Sequence, residues 1–259
     1  MSSLFALSDT LFDVSGKVAV VTGGSRGIGR MIATAYAAAG ATVYVSSRKA
    51  DELRATADEI GATALPADLS TPEGCDALHA AVAEREQAVH ILVNNAGAAW
   101  GAPLEQYPDA AWDKVLGLNV KSPFVLTRLF VPLLRAASSA DDPARVIMIG
   151  SVEGVAVPRW PNYAYPASKA AVHQMAKHLA CDLAPDITVN AIAPGLFPSK
   201  MTAFVFEGGT EEQVTENIPM HRPGDPNDMA GLALFLASRA GAYVTGAVIP
   251  LDGGITARA

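Results

Sequence analysis

The sequence predicts an α/β chain. We expect one doubly wound domain over 1–259, with a seven-stranded, mostly parallel sheet and helices on both faces. Three observations predict it. Short apolar runs alternate with longer helical segments, the order of strand, crossover helix and next strand. The runs are nearly continuous in apolar character rather than alternating, as in strands buried on both faces. No Pro/Ser-rich linker or block of charge divides the 259 residues, a length that single α/β domains routinely reach.

The elements follow in order. Val18 to Val21 is the first strand, a β-prone run that meets glycines at once. Gly27 to Ala39 is an alanine-rich helix that Gly40 stops. Thr42 to Ser46 is the second strand, and Asp51 to Ile60 a helix closed by Gly61. Thr63 to Ala67 is a short, weak third strand. Pro72 to Glu86 is a helix with Thr71 as its N-cap and Pro72 at the first helical position. His90 to Asn94 is the fourth strand, followed by two helices, Asp109–Val120 and Pro123–Ala137. Arg145 to Ile149 is the fifth strand, Tyr163 to Leu183 a long helix and Thr188 to Ile192 the sixth strand. Glu211–Asn217 and Pro226–Ala237 read as helices, and Ala247 to Leu251 closes the sheet.

Composition excludes several classes. With 50% hydrophobic and 17% charged residues, the chain is too apolar to stay disordered. A net charge of −7 argues against nucleic acid as a partner unless basic residues cluster locally. Mean hydropathy is high at +0.24, yet no apolar run approaches the roughly 18 residues of a membrane span. The apolar surplus is expected in a buried sheet and a subunit interface. Cys75 and Cys181 have no metal-ligand spacing and read as small hydrophobes. His79, His90, His173, His178 and His221 form no H-x-x-H or H-E-x-x-H cluster, so no metal is expected. Met1 to Gly16 carries Asp9 and Asp13 and no early Lys or Arg, unlike a secretory signal. A cytoplasmic location is the expectation.

The first strand leads into Thr22-Gly-Gly-Ser-Arg-Gly-Ile-Gly29. Gly23 permits the tight turn out of the strand, Gly27 lets backbone approach a pyrophosphate, and Gly29 lets the helix pack closely. The helix N-terminus then offers unpaired N–H groups and a positive dipole end to phosphate. A glycine loop between strand and helix is the context that gives such spacing meaning. Further along, Tyr165 and Lys169 lie one turn apart on one helix face. Pro166 between them fits only a first turn, so the helix is expected to start near Tyr163. An ammonium about 4 Å from the phenol, at an effective dielectric near 20, would favour phenolate by roughly 4 kcal/mol. That is about three pKa units, which would bring the tyrosine into range for proton transfer. Taken alone, the spacing suits an exposed pair on an amphipathic helix better than a proton-transfer pair. Ser151 follows the fifth strand, at the sheet edge where doubly wound folds bind ligands.

Together these motifs resemble the short-chain dehydrogenase/reductase family over nearly the whole chain. The residues that carry the resemblance are the glycine loop, Asn94-Asn-Ala-Gly97, Asn119, Ser151, Tyr165-x-x-x-Lys169 and Pro194-Gly195. Within the family, the run Gly23 to Met31, Trp100-Gly, Tyr107-Pro and the stretch Pro194 to Thr202 are most similar to NADPH-dependent 3-oxoacyl reductases of the rhamnolipid-biosynthesis type. The resemblance implies a Rossmann fold, an oxidoreductase and a tetrameric assembly. It implies Tyr165 as proton donor and Ser151 as hydrogen-bond partner of the substrate oxygen. Lys169 would hold the nicotinamide ribose, and Asn119 would bend a helix and hold a water of the proton path. Ser25, Ile28, Leu69, Asn95, Ala96 and Gly97 join the coenzyme contacts. Asp68 would meet the adenine, the Phe197 backbone and Ser199 would hold the nicotinamide carboxamide, and Pro194 and Gly195 are further coenzyme contacts.

The choice of dinucleotide is read at the end of the second strand, Ser46-Ser47-Arg48-Lys49. An acid there binds a free 2′-hydroxyl and repels a 2′-phosphate. Ser47 stands where NAD-type relatives carry Asp, and no acid precedes Asp51. Arg48, with Arg26 on the other side, can clamp a phosphate. NADP(H) is therefore the expected coenzyme.

On the substrate side, a loop at about 196–220 holds Met201, Phe204, Val205, Phe206 and Ile218 beside Gly208 and Gly209. It suits a mobile cover over substrate or a buried interface helix. Trp100, Val155, Val157 and Trp160 sit near the motifs as possible pocket lining, with Glu153 and Arg159 as polar neighbours. The expected reaction is reduction of a ketone, a 3-oxoacyl thioester above others. A dehydrogenase of a cyclic, aromatic or other secondary alcohol is the alternative. A dinucleotide sensor without turnover is the remote one, since it needs none of Ser151, Tyr165 and Lys169. The expected partner is a small carbonyl or alcohol.

Overall fold

The computed structural model describes residues 10–158, 160–203 and 215–258. Seven strands form one sheet in the order β3-β2-β1-β4-β5-β6-β7. They are β1 (Val18–Thr22), β2 (Thr42–Ser46), β3 (Thr63–Ala64), β4 (Ile91–Asn94), β5 (Ala144–Ile149), β6 (Ile187–Pro194) and β7 (Val248–Leu251). Every neighbouring pair runs parallel.

Successive strand residues point to opposite faces, and both faces are apolar. On one, Val20, Leu92, Val146 and Val189 pack with Leu78, Phe130 and Ala176. These helical residues come from α3 (Pro72–Ala83), α5 (Ser122–Ala137) and α6 (Ala164–Leu183). On the other face, Val21, Val45, Val93 and Ile147 pack with Ile32, Leu53 and Met229. Those belong to α1 (Gly27–Ala38), α2 (Ala50–Ile60) and α7 (Pro226–Ala237). Each fully buried Leu, Ile or Phe contributes about 1.5–3 kcal/mol. Strands hydrophobic on both sides are thereby explained.

Local signals set several helix ends. Thr71 accepts from the Gly74 N–H at 3.1 Å and caps α3. Gly61 ends α2 with a φ of 71°. Asp225 caps α7 in a reciprocal capping box with Asp228.

Two expectations need correction. The third strand stops at Ala64, although Leu65 and Ala67 still donate to the Val45 and Ser47 carbonyls. Pro66 interrupts the ladder because it has no N–H. The two helices expected around Asn119 form one continuous run: α4 (Asp109–Leu116) passes through a π turn at Gly117–Lys121 into α5. Asn119 is the middle residue of that turn.

The far end of the sheet is clamped by charge. Arg145, only 1% exposed, donates to the Leu236 and Ser238 carbonyls and to Asp142 at 2.7 Å. Lys17 donates to the other Asp142 oxygen at 2.7 Å and to the Ala237 carbonyl. Two cations thus satisfy the C-terminal carbonyls of α7, where the helix dipole is negative. Among the described residues no helix is long and apolar enough to cross a membrane.

Candidate active site

From β1 the chain winds outward to β3, then returns to lay β4 on the other side of β1. That reversal opens a crevice beyond the strand ends. Thr22 laces its lips together. Its Oγ1 donates to the Val93 carbonyl and accepts from the Asn95 and Ala96 N–H groups. The Asn95 carboxamide donates to the Thr22 and Gly23 carbonyls. The crevice is a cavity of about 650 Å³.

The glycine loop forms its floor. Gly23, Ser25, Arg26, Gly27 and Ile28 line the cavity. Gly27 takes a φ of 54°, and the nearest atom to a Cβ built there is the Ser199 Cβ, 3.6 Å away. Gly29, expected among the coenzyme contacts, does not line the cavity. A Cβ on it would sit 2.3 Å from the Asn95 carboxamide nitrogen and 2.4 Å from the Gly23 carbonyl. Its role is close packing of α1 beneath the cradle.

One end of the cavity carries Ser47, Arg48, Lys49, Asp68 and Leu69, with Asn95, Ala96 and Gly97 beside them. The cations there have carboxylate neighbours. Arg26 and Lys49 each lie 3.7 Å from Glu52, and Arg48 lies 4.0 Å from Asp68. Asp68 accepts from the Ser70 hydroxyl and N–H. Those bonds, ahead of the Arg48 charge, hold its carboxyl below the usual range. A dinucleotide fits this end by two observations. The Ser47 Oγ is buried without a hydrogen-bond partner, and the Gly27 position stays clear of the space a side chain would fill.

At the other end Ser151, Tyr165 and Lys169 line the same cavity. Ser151 begins a single helical turn after β5, and its Oγ accepts from the Glu153 N–H at 3.1 Å. Tyr165 and Lys169 sit on α6, with Pro166 in its first turn as expected. Lys169 donates to the Ile149 carbonyl at 2.7 Å, and its Nζ lies 5.4 Å from the centre of the Tyr165 ring. The expected depression of the phenol is not found. Burial, with the Glu153 charge behind it, pushes Tyr165 up to about 12, against a lowering bond to Ser151. Burial also brings Lys169 down to about 8. Removing the pair from water outweighs the attraction that the spacing alone predicted.

Asn119 does not line the cavity. Its Oδ1 accepts from the Ala98 N–H, and its Nδ2 donates to the Ala98 carbonyl and the Ser168 hydroxyl. The carboxamide therefore ties the π turn to the β4 loop and to the residue preceding Lys169.

Pro194, Gly195, Phe197, Ser199, Lys200, Met201 and Thr202 complete the wall. The Thr202 hydroxyl donates to the Phe197 carbonyl at 2.7 Å and accepts from the Ser199 N–H at 3.0 Å. Trp100 also lines the cavity, whereas Val155, Val157 and Trp160 are exposed away from it. Glu153 is engaged by the Trp160 indole and the Asn162 carboxamide rather than left to meet a ligand. Arg159, Phe204, Val205, Phe206, Gly208, Gly209 and most of the expected Glu211–Asn217 helix lie outside the described residues. Sequence reasoning missed Lys114 and Asn162, both on the wall. Lys114 stands 5.1 Å above the Trp100 ring, a pairing no local spacing signals. Among the described residues no three His, Cys, Asp or Glu side chains gather as a metal site.

Comparison with known proteins agrees with this geometry. Residues 6–256 match the family described as Enoyl-(Acyl carrier protein) reductase. The chain is 49% identical over 249 residues to the rhamnolipids biosynthesis 3-oxoacyl-[acyl-carrier-protein] reductase of Pseudomonas aeruginosa, covering 94% of this chain and 97% of that one. It is 39% identical to a galactitol 2-dehydrogenase (L-tagatose-forming) of Cereibacter sphaeroides, covering 95% and 98%. Among solved structures, the Pseudomonas aeruginosa RhlG/NADP active-site complex is similar with a TM-score of 0.92 and 47% identity, over 96% of this chain and 99% of that chain.

Proposed function

The chain belongs to the short-chain dehydrogenase/reductase family, and on that premise we propose that it is an NADPH-dependent ketoreductase of 3-oxoacyl thioesters. The observation that carries the reading is the single cavity, with Arg26, Ser47 and Arg48 at one end and Ser151, Tyr165 and Lys169 at the other. A relative solved with NADP, 47% identical, supports the coenzyme.

When bound, the coenzyme supplies the hydride that reduces the carbonyl carbon. Arg48 and Arg26 hold its 2′-phosphate by charge-assisted bonds, and the glycine loop's N–H groups hold the pyrophosphate. Phe197 and Ser199 orient the carboxamide. Ser151 donates a hydrogen bond to the carbonyl oxygen, where negative charge develops. Tyr165, a neutral phenol at physiological pH, gives that oxygen its proton. Lys169 remains an ammonium below about pH 8, steadies the ribose and stabilises the tyrosine oxygen as it loses its proton. Asn119 sets the distance between the π turn and α6, beside a water of the proton path.

Residues 196–220 act as the substrate loop in this reading. Support comes from Phe197, Ser199, Met201 and Thr202 on the cavity wall. The protein works in the cytoplasm as a homotetramer. Free Cys75 and Cys181 suit a reducing compartment. The exposed Trp112, Leu116 and Phe124 recur along α4 and α5 as an apolar stripe suited to a subunit contact.

The test is reduction of acetoacetyl-coenzyme A with NADPH and with NADH, beside oxidation of galactitol with NADP and NAD. Faster thioester reduction with NADPH than any other combination is expected. Galactitol oxidation without thioester reduction would overturn the substrate assignment.

A further inference from the structure

Three side chains recur at intervals of four on α6: Tyr165, Lys169 and His173. That spacing puts them on one helix face. The first two line the cavity. The third is buried beneath the turn that carries Ser151, at 6% exposure. The Ser151 N–H donates to His173 Nε2 at 3.4 Å. The Gly154 backbone lies against the ring from the other side and favours its protonated form. With Nε2 accepting, the N–H of the neutral ring is on Nδ1. The imidazole packs against both ends of a four-residue turn.

The glycines around the turn fit the same picture. A Cβ on Gly150 would lie 2.1 Å from His173 Nε2. One on Gly154 would lie 2.8 Å from Cε1 and 2.7 Å from the Lys169 and Ala170 backbone. Gly150 and Gly154 therefore bracket Ser151 because the ring and α6 fill the space where side chains would go. Within the bracket, the Ser151 hydroxyl is aimed by the Glu153 N–H at 3.1 Å. The ring is neutral at physiological pH: burial first, then the Lys169 charge, bring it down to about 4. A neutral imidazole has one N–H and one lone pair, and the lone pair accepts from the Ser151 N–H.

We propose that His173 is a positioning residue for the reduction, holding the Ser151 turn in register with Tyr165 as a fixed neutral tautomer. The proposal rests on the reading of Ser151 and Tyr165 given above. At 3.4 Å the bond to Ser151 is long and contributes orientation more than energy. Orientation is what the step needs, since a misplacement of about 1 Å costs on the order of 10²-fold in rate.

A double-mutant cycle tests it, with NADPH and acetoacetyl-coenzyme A as the probe. His173→Leu keeps the core volume and removes the polar ring atoms; His173→Gln keeps a donor and an acceptor. His173→Leu is expected to lower kcat by roughly 10- to 100-fold, leave the Kd for NADPH within about two-fold, and be partly rescued by Gln. In a Ser151→Ala background the same change should alter kcat by less than about three-fold, because coupled residues are non-additive. Nitrogen NMR of the histidine-labelled wild type should show His173 at pH 7 with Nδ1 protonated and Nε2 bare, independent of turnover and of whether a variant folds. Unchanged kcat in His173→Leu, an equal loss in both backgrounds, or a doubly protonated ring would overturn the proposal. Wild-type turnover in Ser151→Ala would instead overturn the catalytic reading beneath it.

Discussion

Replacing Arg48 by alanine should separate the two coenzymes. Its guanidinium lies 4.0 Å from Asp68, with side-chain exposures of 60% and 48%. A pair that wet contributes about 0–1 kcal/mol. A charge-assisted bond to phosphate contributes about 1.5–3 kcal/mol. Exchanging one for the other leaves Arg48 a net gain of about 0.5–3 kcal/mol. Arg48→Ala should then weaken NADPH by roughly 2- to 160-fold, with NADH less affected than NADPH. Asp68→Asn removes the competing carboxylate, so it should raise the ratio of NADPH to NADH affinity by up to about five-fold. Fluorescence titration of each variant with both reduced coenzymes reads this directly. Salt should weaken the NADPH preference of the wild type, because both contacts are exposed. Equal loss of both coenzymes in Arg48→Ala would refute the reasoning, as would no loss of either.

Tyr165→Phe should leave NADPH binding unchanged and lower kcat by about 10²–10⁴-fold, while Lys169→Met should lower kcat and weaken NADPH together; near-wild-type turnover in Tyr165→Phe would sink the mechanism. The rate of reduction at saturating coenzyme should fall as pH rises through about 8. Burial has lowered the Lys169 ammonium to that value, so the charge is present below it and lost above, while Tyr165 keeps its proton until about 12. A kcat profile flat to pH 10 would contradict this. Asp142→Ala should cost about 3 kcal/mol, because it strands the buried Arg145 charge beside a partnerless Nη1. That corresponds to a melting point roughly 6–12 °C lower; an unchanged melt would show that the clamp carries no net stability.

The order of elements was legible because parallel strands buried on both faces leave apolar runs that no exposed segment imitates. The glycine loop, Ser151, Tyr165 and Lys169 were legible because their chemistry demands those residue types next to strand ends. Contacts between distant segments were not. Glu52 and Asp68 reach the phosphate-end arginines from a helix and a loop that spacing does not bring together. The Tyr165 shift was missed because pairwise attraction can be estimated from separation in sequence, while desolvation depends on everything packed around the ring. His173 carried no sequence signal of its own, because the Ser151 N–H and the two glycines that meet its ring come from a turn about twenty residues earlier.

The π turn at Gly117–Lys121 has a consequence for what changes this chain can absorb. An α-helix advances about 100° per residue, so one extra residue wound regularly would rotate everything after it by about a quarter-turn. The π turn takes that residue up locally, and Leu126, Phe130 and Leu134 stay buried. Deleting the extra residue should restore ordinary winding with α5 still in phase, while Asn119 would lose Ala98 and Ser168 together. The core beneath α5 can therefore tolerate a shortening at this point that the crevice above it cannot.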